Sequence, residues 1–164
     1  MPELIYSPIG EIHSPFRAVE GMPIQPSGAV GIRGEVEVFS EYCAGLKDLD
    51  DFSHIILIYH FHLSGRYTLE ARPFMEERTH GIFAIRAPSR PNPIGFSVVR
   101  LLGIEGCVLH IEDVDIADGT PLLDIKPYVP DFDRREADRI GWLEDKSGRA
   151  GEHRADGRFR SDSY

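Results

Sequence analysis

The feature that most constrains this chain is a succession of short strand-forming stretches with no long helical stretch between them. Apolar runs or alternating patterns mark seven candidate strands, at 4–13, 32–39, 54–63, 81–86, 96–104, 108–114 and 121–128. Parallel strands need long crossover connections, usually helices, so this spacing favours antiparallel pairing. Twelve prolines and sixteen glycines supply turns. We therefore predict an all-β fold, a small closed β-barrel of one antiparallel-rich sheet with few short helical turns.

Local turn and helix signals are sparse. Glu105-Gly106 lies between two candidate strands and predicts a tight hairpin. Short helical turns are expected at 48–52 and at 133–143, the second with Asp133 as its N-cap and Trp142 packing back onto the body.

The chain of 164 residues has room for one ordinary domain, which we place at 1–144. The remaining stretch, 145–164, contains no Leu, Ile, Val or Met. Such a segment cannot bury enough apolar surface to offset the entropy lost on ordering. We predict a polar, disordered tail.

Charge and cysteine content bear on the binding partners and the cellular location of the protein. Eighteen basic and 27 acidic residues give a net charge of −9, which argues against a polybasic nucleic-acid binder. Residues 66–100 nevertheless carry six arginines against three glutamates, and this predicts a basic lip on an acidic body. Without a basic and apolar leader or a membrane-length apolar run, a cytoplasmic protein with no membrane contact is expected. The distant cysteines, Cys43 and Cys107, favour reduced thiols, with one bridge left open.

Several common active-site motifs are missing from the sequence. It holds no Gly-x-Gly-x-x-Gly fingerprint, P-loop, nucleophile elbow or Cys-x-x-Cys pair. A Rossmann-type nucleotide site and a serine hydrolase triad therefore have no support.

The segment 86–95 is the most unusual in the chain, because three prolines stand within six residues. Proline fixes φ and stiffens the loop before a ligand binds, which lowers the entropic cost of binding. Arg86 and Arg90 offer forked donors to a carboxylate or phosphate, and Asn92 can pair with an adenine edge. The alternative, a stiff connection with ordinary surface arginines, stays open.

An aspartate-rich corner follows at 113–124. Asp113 and Asp115 are two residues apart, so they share one face of a strand, and Asp118-Gly119 is a strong turn signal. These carboxylates suit a ribose diol, an ammonium group, a metal or a general base. Aspartates that only bond their own backbone are the simpler alternative.

Three histidines at even spacing suggest a second kind of chemistry. His54, His60 and His62 would share one strand face and could hold zinc or iron. The alternative function is thus a metal-dependent small β-barrel enzyme. Because no obvious further ligands accompany these histidines, we expect no metal.

These blocks together resemble one family, the TsaA-like proteins that include the TrmO tRNA methyltransferases. The resemblance rests on 9–16, the 54–63 strand, 81–86, 90–95 and 118–128, in that order and at matching spacing. It implies a β-barrel that works as a homodimer, binds S-adenosylmethionine without a Rossmann sheet and N6-methylates threonylcarbamoyladenosine in the tRNA anticodon loop. A non-catalytic S-adenosylmethionine-binding module is a further alternative.

The same resemblance implies site residues. The methyl-donor positions that it implies are Pro23, Ile24, Gln25, His62, Leu63, Arg86, Phe96, Asp115, Ile116, Ala117 and Asp118.

The acceptor chemistry adds roles for some of these residues and for two others. The N6 atom of threonylcarbamoyladenosine is urea-like, so its proton must be removed or its lone pair freed before it attacks. Our hypothesis gives this task to His62 or Asp115. Arg86, Arg90 and Asn92 are expected to bind the substrate, and Arg90 is also expected to take part in catalysis.

Overall fold

The computed structural model describes residues 1–24 and 28–146. Six strands close into an antiparallel barrel in the order β1-β2-β7-β6-β3-β8. Two further strands, β4 and β5, pair as a separate ribbon. The predicted all-β barrel is therefore confirmed. The strand bounds are β1 Gly10–His13, β2 Arg33–Val38, β3 His54–His60, β4 Glu70–Ala71, β5 His80–Gly81, β6 Ile94–Glu105, β7 Val108–Glu112 and β8 Thr120–Pro127.

Within residues 1–24 and 28–146, helical structure is limited to short segments. One α-helical turn, α1, spans Pro130–Asp133, and 3-10 turns lie at Ser40–Leu46, Leu49–Asp51, Ile82–Ala84 and Gly141–Leu143. None of the helices in 1–24 or 28–146 has the length and apolar character needed to span a bilayer.

The barrel interior holds one apolar core, built from the inward-facing residues of its strands. Alternation along a strand sends every second side chain inward, as in β2, where Val36 and Val38 are buried between exposed glutamates. The central strand β3 is buried along most of its length, as its continuous apolar run predicts. Fully buried members are Ile12, Val36, Ile55, Leu57, Val99, Leu109, Ile111, Val114 and Leu122.

The β6–β7 hairpin forms at the predicted place. Glu105 pairs with Val108, and Gly106 between them has φ +62°, a left-handed conformation that favours glycine.

Two predicted strands differ from the structure. The strand predicted at 81–86 is wrong, because Ile82–Ala84 forms a 3-10 turn. Ile82 and Ile85 are both buried beside Ala87 in a second apolar cluster, and a spacing of three matches a 3-10 turn instead of a strand. The strand expected from residue 4 begins only at Gly10, and Leu4, Ile5 and Tyr6 are exposed.

The helix expected at 133–143 is also wrong. The α-helical turn ends at Asp133, whose Oδ2 accepts the Val129 amide at 2.8 Å. Residues 131–141 are all exposed and so present no apolar face that packing could stabilise. Trp142 does pack back, donating Nε1–H to the Ala84 carbonyl at 2.8 Å. Most of the predicted tail, 147–164, lies outside the described residues.

The two cysteines form a disulfide, so the expectation of reduced thiols is wrong. Cys43 lies in the Ser40–Leu46 turn and Cys107 in the β6–β7 turn, with their Cα atoms 5.3 Å apart. Barrel closure brings them together, because the Val38 amide at the end of β2 donates to the Cys107 carbonyl at 2.9 Å. Sequence separation alone does not show this proximity.

The disulfide gives the first prediction. Its cysteines are 64 residues apart in sequence. Closing a loop of that length lowers the conformational entropy of the unfolded chain and so raises the free energy of the unfolded state by about 4 kcal/mol. The double variant Cys43→Ser/Cys107→Ser should lose roughly that amount of unfolding free energy in urea titration. A strong reductant should destabilise the wild type similarly and leave the variant unchanged. Equal stability of the wild type with and without reductant would contradict the bridge.

Candidate functional site

A cavity of about 770 Å³ opens at one end of the barrel. Its wall is formed by the end of β3, the start of β6, the corner before β8, and the segments around residues 22–24, 83–90 and 142–143. This volume is typical of a site for a drug-sized ligand.

The cavity brings together most residues that the sequence singled out for the site. Ten of them contribute to its wall: Pro23, Ile24, His62, Leu63, Arg86, Arg90, Phe96, Asp115, Ile116 and Ala117. These positions come from five separate parts of the chain. Gln25 lies outside the described residues.

Two expected site residues lie away from the cavity wall. Asp118 Oδ1 accepts the Ser14 amide at 3.0 Å, and the Asp118 amide donates to the Phe16 carbonyl at 2.6 Å. Asp118 thus ties the end of β1 to the corner before β8. Asn92 is exposed and does not line the cavity.

The two arginines of the proline-rich segment have different surroundings. Arg90 Nη1 donates to the carbonyls of Ile82, Ile85 and Ala87, at 3.4, 2.7 and 3.3 Å. Its guanidinium therefore holds the turned backbone of the wall together. Arg86 is an exposed wall residue.

A chain of hydrogen-bonded polar groups leads from the cavity wall into the barrel interior. Ser97 Oγ–H donates to Asp115 Oδ1 at 2.7 Å, and the Tyr59 hydroxyl lies 2.9 Å from Ser97 Oγ. Because the Ser97 proton goes to Asp115, Tyr59 is the donor to Ser97. Tyr59 and Ser97 are 4% and 1% exposed. Neither residue is among those predicted from the sequence for the site, although each places a polar group at an inward position of an apolar strand.

Burial sets the protonation of this chain. It raises the pKa of Asp115 to about 6, against the opposing effect of the Ser97 hydrogen bond. It also raises the pKa of Tyr59 far above its usual value, with the nearby Asp115 charge acting in the same direction. At pH 7 Asp115 is mainly ionised, and Tyr59 keeps its proton.

Gly95 explains how the tyrosine ring fits. Gly95 pairs with Tyr59 across β6 and β3, and a Cβ atom built on Gly95 would overlap Tyr59 Cε2. The ring therefore occupies the space of the missing side chain, and glycine at this position lets the hydroxyl reach Ser97.

His62 follows the end of β3 and is half-buried in the wall. Its Nδ1 lies 3.3 Å from Thr120 Oγ1. Burial lowers the pKa of His62, His60 acts in the same direction, and Glu11 and Asp118 oppose the shift. At neutral pH the ring is therefore mainly uncharged, with one nitrogen able to accept a proton.

The three histidines do not converge on a metal site. His54 is at the opposite end of β3 from His60, with Nδ1 2.8 Å from Ser53 Oγ. His62 lies beyond the strand, so strand alternation does not extend to it. Within residues 1–24 and 28–146, no three His, Cys, Asp or Glu side chains are grouped as metal ligands would be.

Apolar residues complete the wall and were not anticipated as a group. Phe74, Met75, Phe83, Trp142 and Leu143 all contribute to it. The Trp142 ring stacks on His80 with centroids 5.3 Å apart, and Lys146 Nζ lies 2.7 Å from Glu76 Oε2. These contacts fasten the segment 141–146 across one side of the cavity.

Comparisons with known proteins show what this chain is similar to. The family model described as the tRNA-methyltransferase O N-terminal domain matches residues 11–134. A protein of Pyrococcus abyssi named "Probable S-adenosyl-L-methionine-binding protein" is 60% identical over 96% of this chain and 86% of its own length. The human "tRNA (adenine(37)-N6)-methyltransferase" is 34% identical over 79% of this chain, which spans 31% of that enzyme.

A solved structure shares the fold. The crystal structure of TrmO from Pseudomonas aeruginosa superposes with a TM-score of 0.72 at 38% identity, covering 86% of this chain and 63% of that one.

The raised pKa of Asp115 gives the second prediction. The ordinary value of 3.8 rises to about 6 on folding, so the native state binds the proton more tightly than the unfolded chain. The contribution of Asp115 to the free energy of unfolding should therefore fall as pH rises from 4 to 7. Asp115→Asn cannot ionise, so its stability relative to wild type should improve by about 2–3 kcal/mol over that range.

Urea titrations at several pH values measure this difference. The matched control is Asp138→Asn, which makes the same chemical change at an exposed position. If the difference in unfolding free energy between Asp115→Asn and wild type did not change with pH, the pKa of the Asp115 carboxyl would not be raised.

Proposed function

Because the chain belongs to the family of the tRNA-methyltransferase O N-terminal domain, we propose that it is an S-adenosylmethionine-dependent tRNA adenine N6-methyltransferase. The proposed acceptor is threonylcarbamoyladenosine beside the anticodon. The observation that carries the proposal is the Asp115 carboxylate, buried in the wall of a largely apolar cavity large enough for the methyl donor.

The residues of the cavity fit such a donor. The ionised Asp115 carboxylate can accept from ribose hydroxyls or an ammonium group, and its negative charge favours a nearby sulfonium. The exposed guanidinium of Arg86 can donate two parallel hydrogen bonds to a carboxylate. The exposed Phe96 side chain offers apolar surface to an adenine ring. When bound, S-adenosylmethionine supplies an electrophilic methyl group on a positively charged sulfur.

The acceptor needs a base, and His62 suits that task. An amide-like N6–H is a weak acid, so its proton must leave as the nitrogen attacks. His62 is mainly neutral near pH 7 and lies in the cavity wall. Asp115, ionised and held by the Ser97 hydroxyl, stabilises the positive charge that arrives with the donor.

The arginines take separate roles in this proposal. Arg86 binds the threonyl carboxylate or a phosphate of the anticodon loop. Arg90 acts as a positioning residue, because its guanidinium is engaged by three wall carbonyls. Arginines 66, 72, 78, 86 and 100 are exposed, but Arg100 pairs with His54 at the end of β3 away from the cavity, and the whole chain has a net charge of −9. The salt dependence of tRNA binding should therefore be shallow.

Homodimer formation and a cytoplasmic location belong to the same proposal. They rest on the family resemblance. The chain spans about a third of the human enzyme and 63% of the solved TrmO chain. The activity named for those longer proteins is therefore carried over here as a proposal.

A donor-binding module without turnover is the second candidate. It is favoured by the name of the Pyrococcus abyssi protein, which states binding of S-adenosylmethionine and no transfer reaction. Both candidates share the donor cavity, so only an assay of the acceptor separates them.

The third prediction tests donor and acceptor together. Purified protein should bind S-adenosylmethionine in calorimetry and should methylate tRNA that carries threonylcarbamoyladenosine, detected by mass spectrometry of nucleosides. tRNA with unmodified adenosine should remain unmethylated. Asp115→Asn should weaken donor binding at least about tenfold, since a charged hydrogen bond is worth roughly 1.5–3 kcal/mol. The exposed variant Asp138→Asn should bind like wild type.

The outcomes separate the candidates. Donor binding without methylation of either tRNA would favour the module. No heat with S-adenosylmethionine at millimolar concentration would overturn both. Methylation of unmodified adenosine would overturn the proposed acceptor and leave the methyltransferase in place.

A further inference from the structure

We propose that Thr120 is a positioning residue that fixes His62 in the Nδ1–H tautomer, so that Nε2 carries the lone pair that accepts the proton. This inference deepens the proposed function and rests on it for the role of His62 as a base. The tautomer itself follows from hydrogen bonds in this chain.

The Thr120 hydroxyl has a single proton to donate. Thr120 Oγ1 lies 2.7 Å from the Ala117 carbonyl and donates to it, because a carbonyl oxygen can only accept. The hydroxyl therefore has only lone pairs left for a second partner. That partner is His62 Nδ1, at 3.3 Å. A nitrogen facing an acceptor must donate, so Nδ1 carries the proton and Nε2 of the neutral ring does not.

The backbone leaves Thr120 little freedom to change this arrangement. Thr120 is 2% exposed and is the first residue of β8, where it pairs with Ile12 of β1. The preceding Gly119 has φ +76° and donates its amide to the Ile12 carbonyl at 2.9 Å. Because this turn and the strand pairing fix the Thr120 backbone, the hydroxyl remains between the Ala117 carbonyl and the imidazole.

Gly119 also leaves room beside the other ring nitrogen. A Cβ atom at Gly119 would lie 4.0 Å from His62 Nε2 and 3.6 Å from Glu11 Oε1. The carboxylates of Glu11 and Asp118 favour the protonated ring, whereas His60 opposes it. A proton taken up at Nε2 is thus partly balanced by nearby negative charge, while Nδ1 keeps its bond to Thr120.

The second observation supporting a positioning role is that Thr120 and His62 both line the cavity. A base with a fixed tautomer needs no rearrangement before it takes a proton. A histidine held in the wrong tautomer loses most of its activity as a base, as the serine-protease triad illustrates.

The fourth prediction compares Thr120→Val with Thr120→Ser. Valine has nearly the shape of threonine without the hydroxyl, whereas serine keeps it. Thr120→Val should lower kcat for tRNA methylation about 10- to 100-fold and leave the Kd for S-adenosylmethionine within about twofold. Thr120→Ser should restore most of kcat. The exposed Thr79→Val is the matched control and should behave as wild type.

Nitrogen-15 NMR of the free protein supplies a readout that does not depend on turnover. With His62→Gln used to assign the ring signals, the wild type should show the Nδ1–H tautomer, and Thr120→Val should lose that preference. A wild-type ring in the Nε2–H form overturns the inference, whether or not the protein methylates tRNA. An Nδ1–H ring in a protein without methylation leaves the tautomer assignment in place and overturns the proposed function. Equal kcat in wild type and Thr120→Val overturns the positioning role.

Discussion

The pairing of Tyr59 with Gly95 is the constraint on which the site depends. It joins the central strand β3 to β6, and only a residue without a side chain at 95 leaves space for the tyrosine ring. On its other side β3 shifts register against β8 between Ile58 and Tyr59. Such irregularities re-aim side chains at barrel rims. The Tyr59 hydroxyl consequently reaches Ser97, and Ser97 turns its proton toward Asp115.

Much of the barrel could be predicted because its signals are local. Alternation at 32–39, the apolar run at 54–60 and the glycine turn at 106 each depend on short-range sequence pattern. The prediction of a strand at 81–86 is wrong because Ile82 and Ile85 are residues that favour strands, whereas here they lie in and next to a 3-10 turn. The disulfide could not be predicted, because the approach of residues 43 and 107 exists only after β2 has paired next to the β6–β7 turn.

In the site, too, the type of each residue could be predicted, but the group that each residue binds could not. Family resemblance and composition indicated which side chains belong to the cavity, and the structure brings Arg86, His62 and Asp115 to its wall. They could not indicate that Arg90 is engaged by carbonyls of its own loop, or that Asp118 binds the Ser14 amide. A forked donor or a carboxylate is equally suited to a ligand and to the backbone. Which one it meets depends on turns that lie far away in sequence.

Burying a carboxylate at Asp115 costs stability, and a cationic ligand offsets that cost. Without a nearby positive charge, burial raises the pKa of Asp115 to about 6, so near that pH a substantial fraction of the protein holds the neutral acid. A ligand with a positive sulfur or ammonium group interacts favourably only with the ionised form, and its binding must therefore lower this pKa. Affinity then increases as pH rises through 6 and levels off above it. The product of methyl transfer has lost the sulfonium charge and gains less from ionised Asp115, so this carboxylate favours the methyl donor over its product.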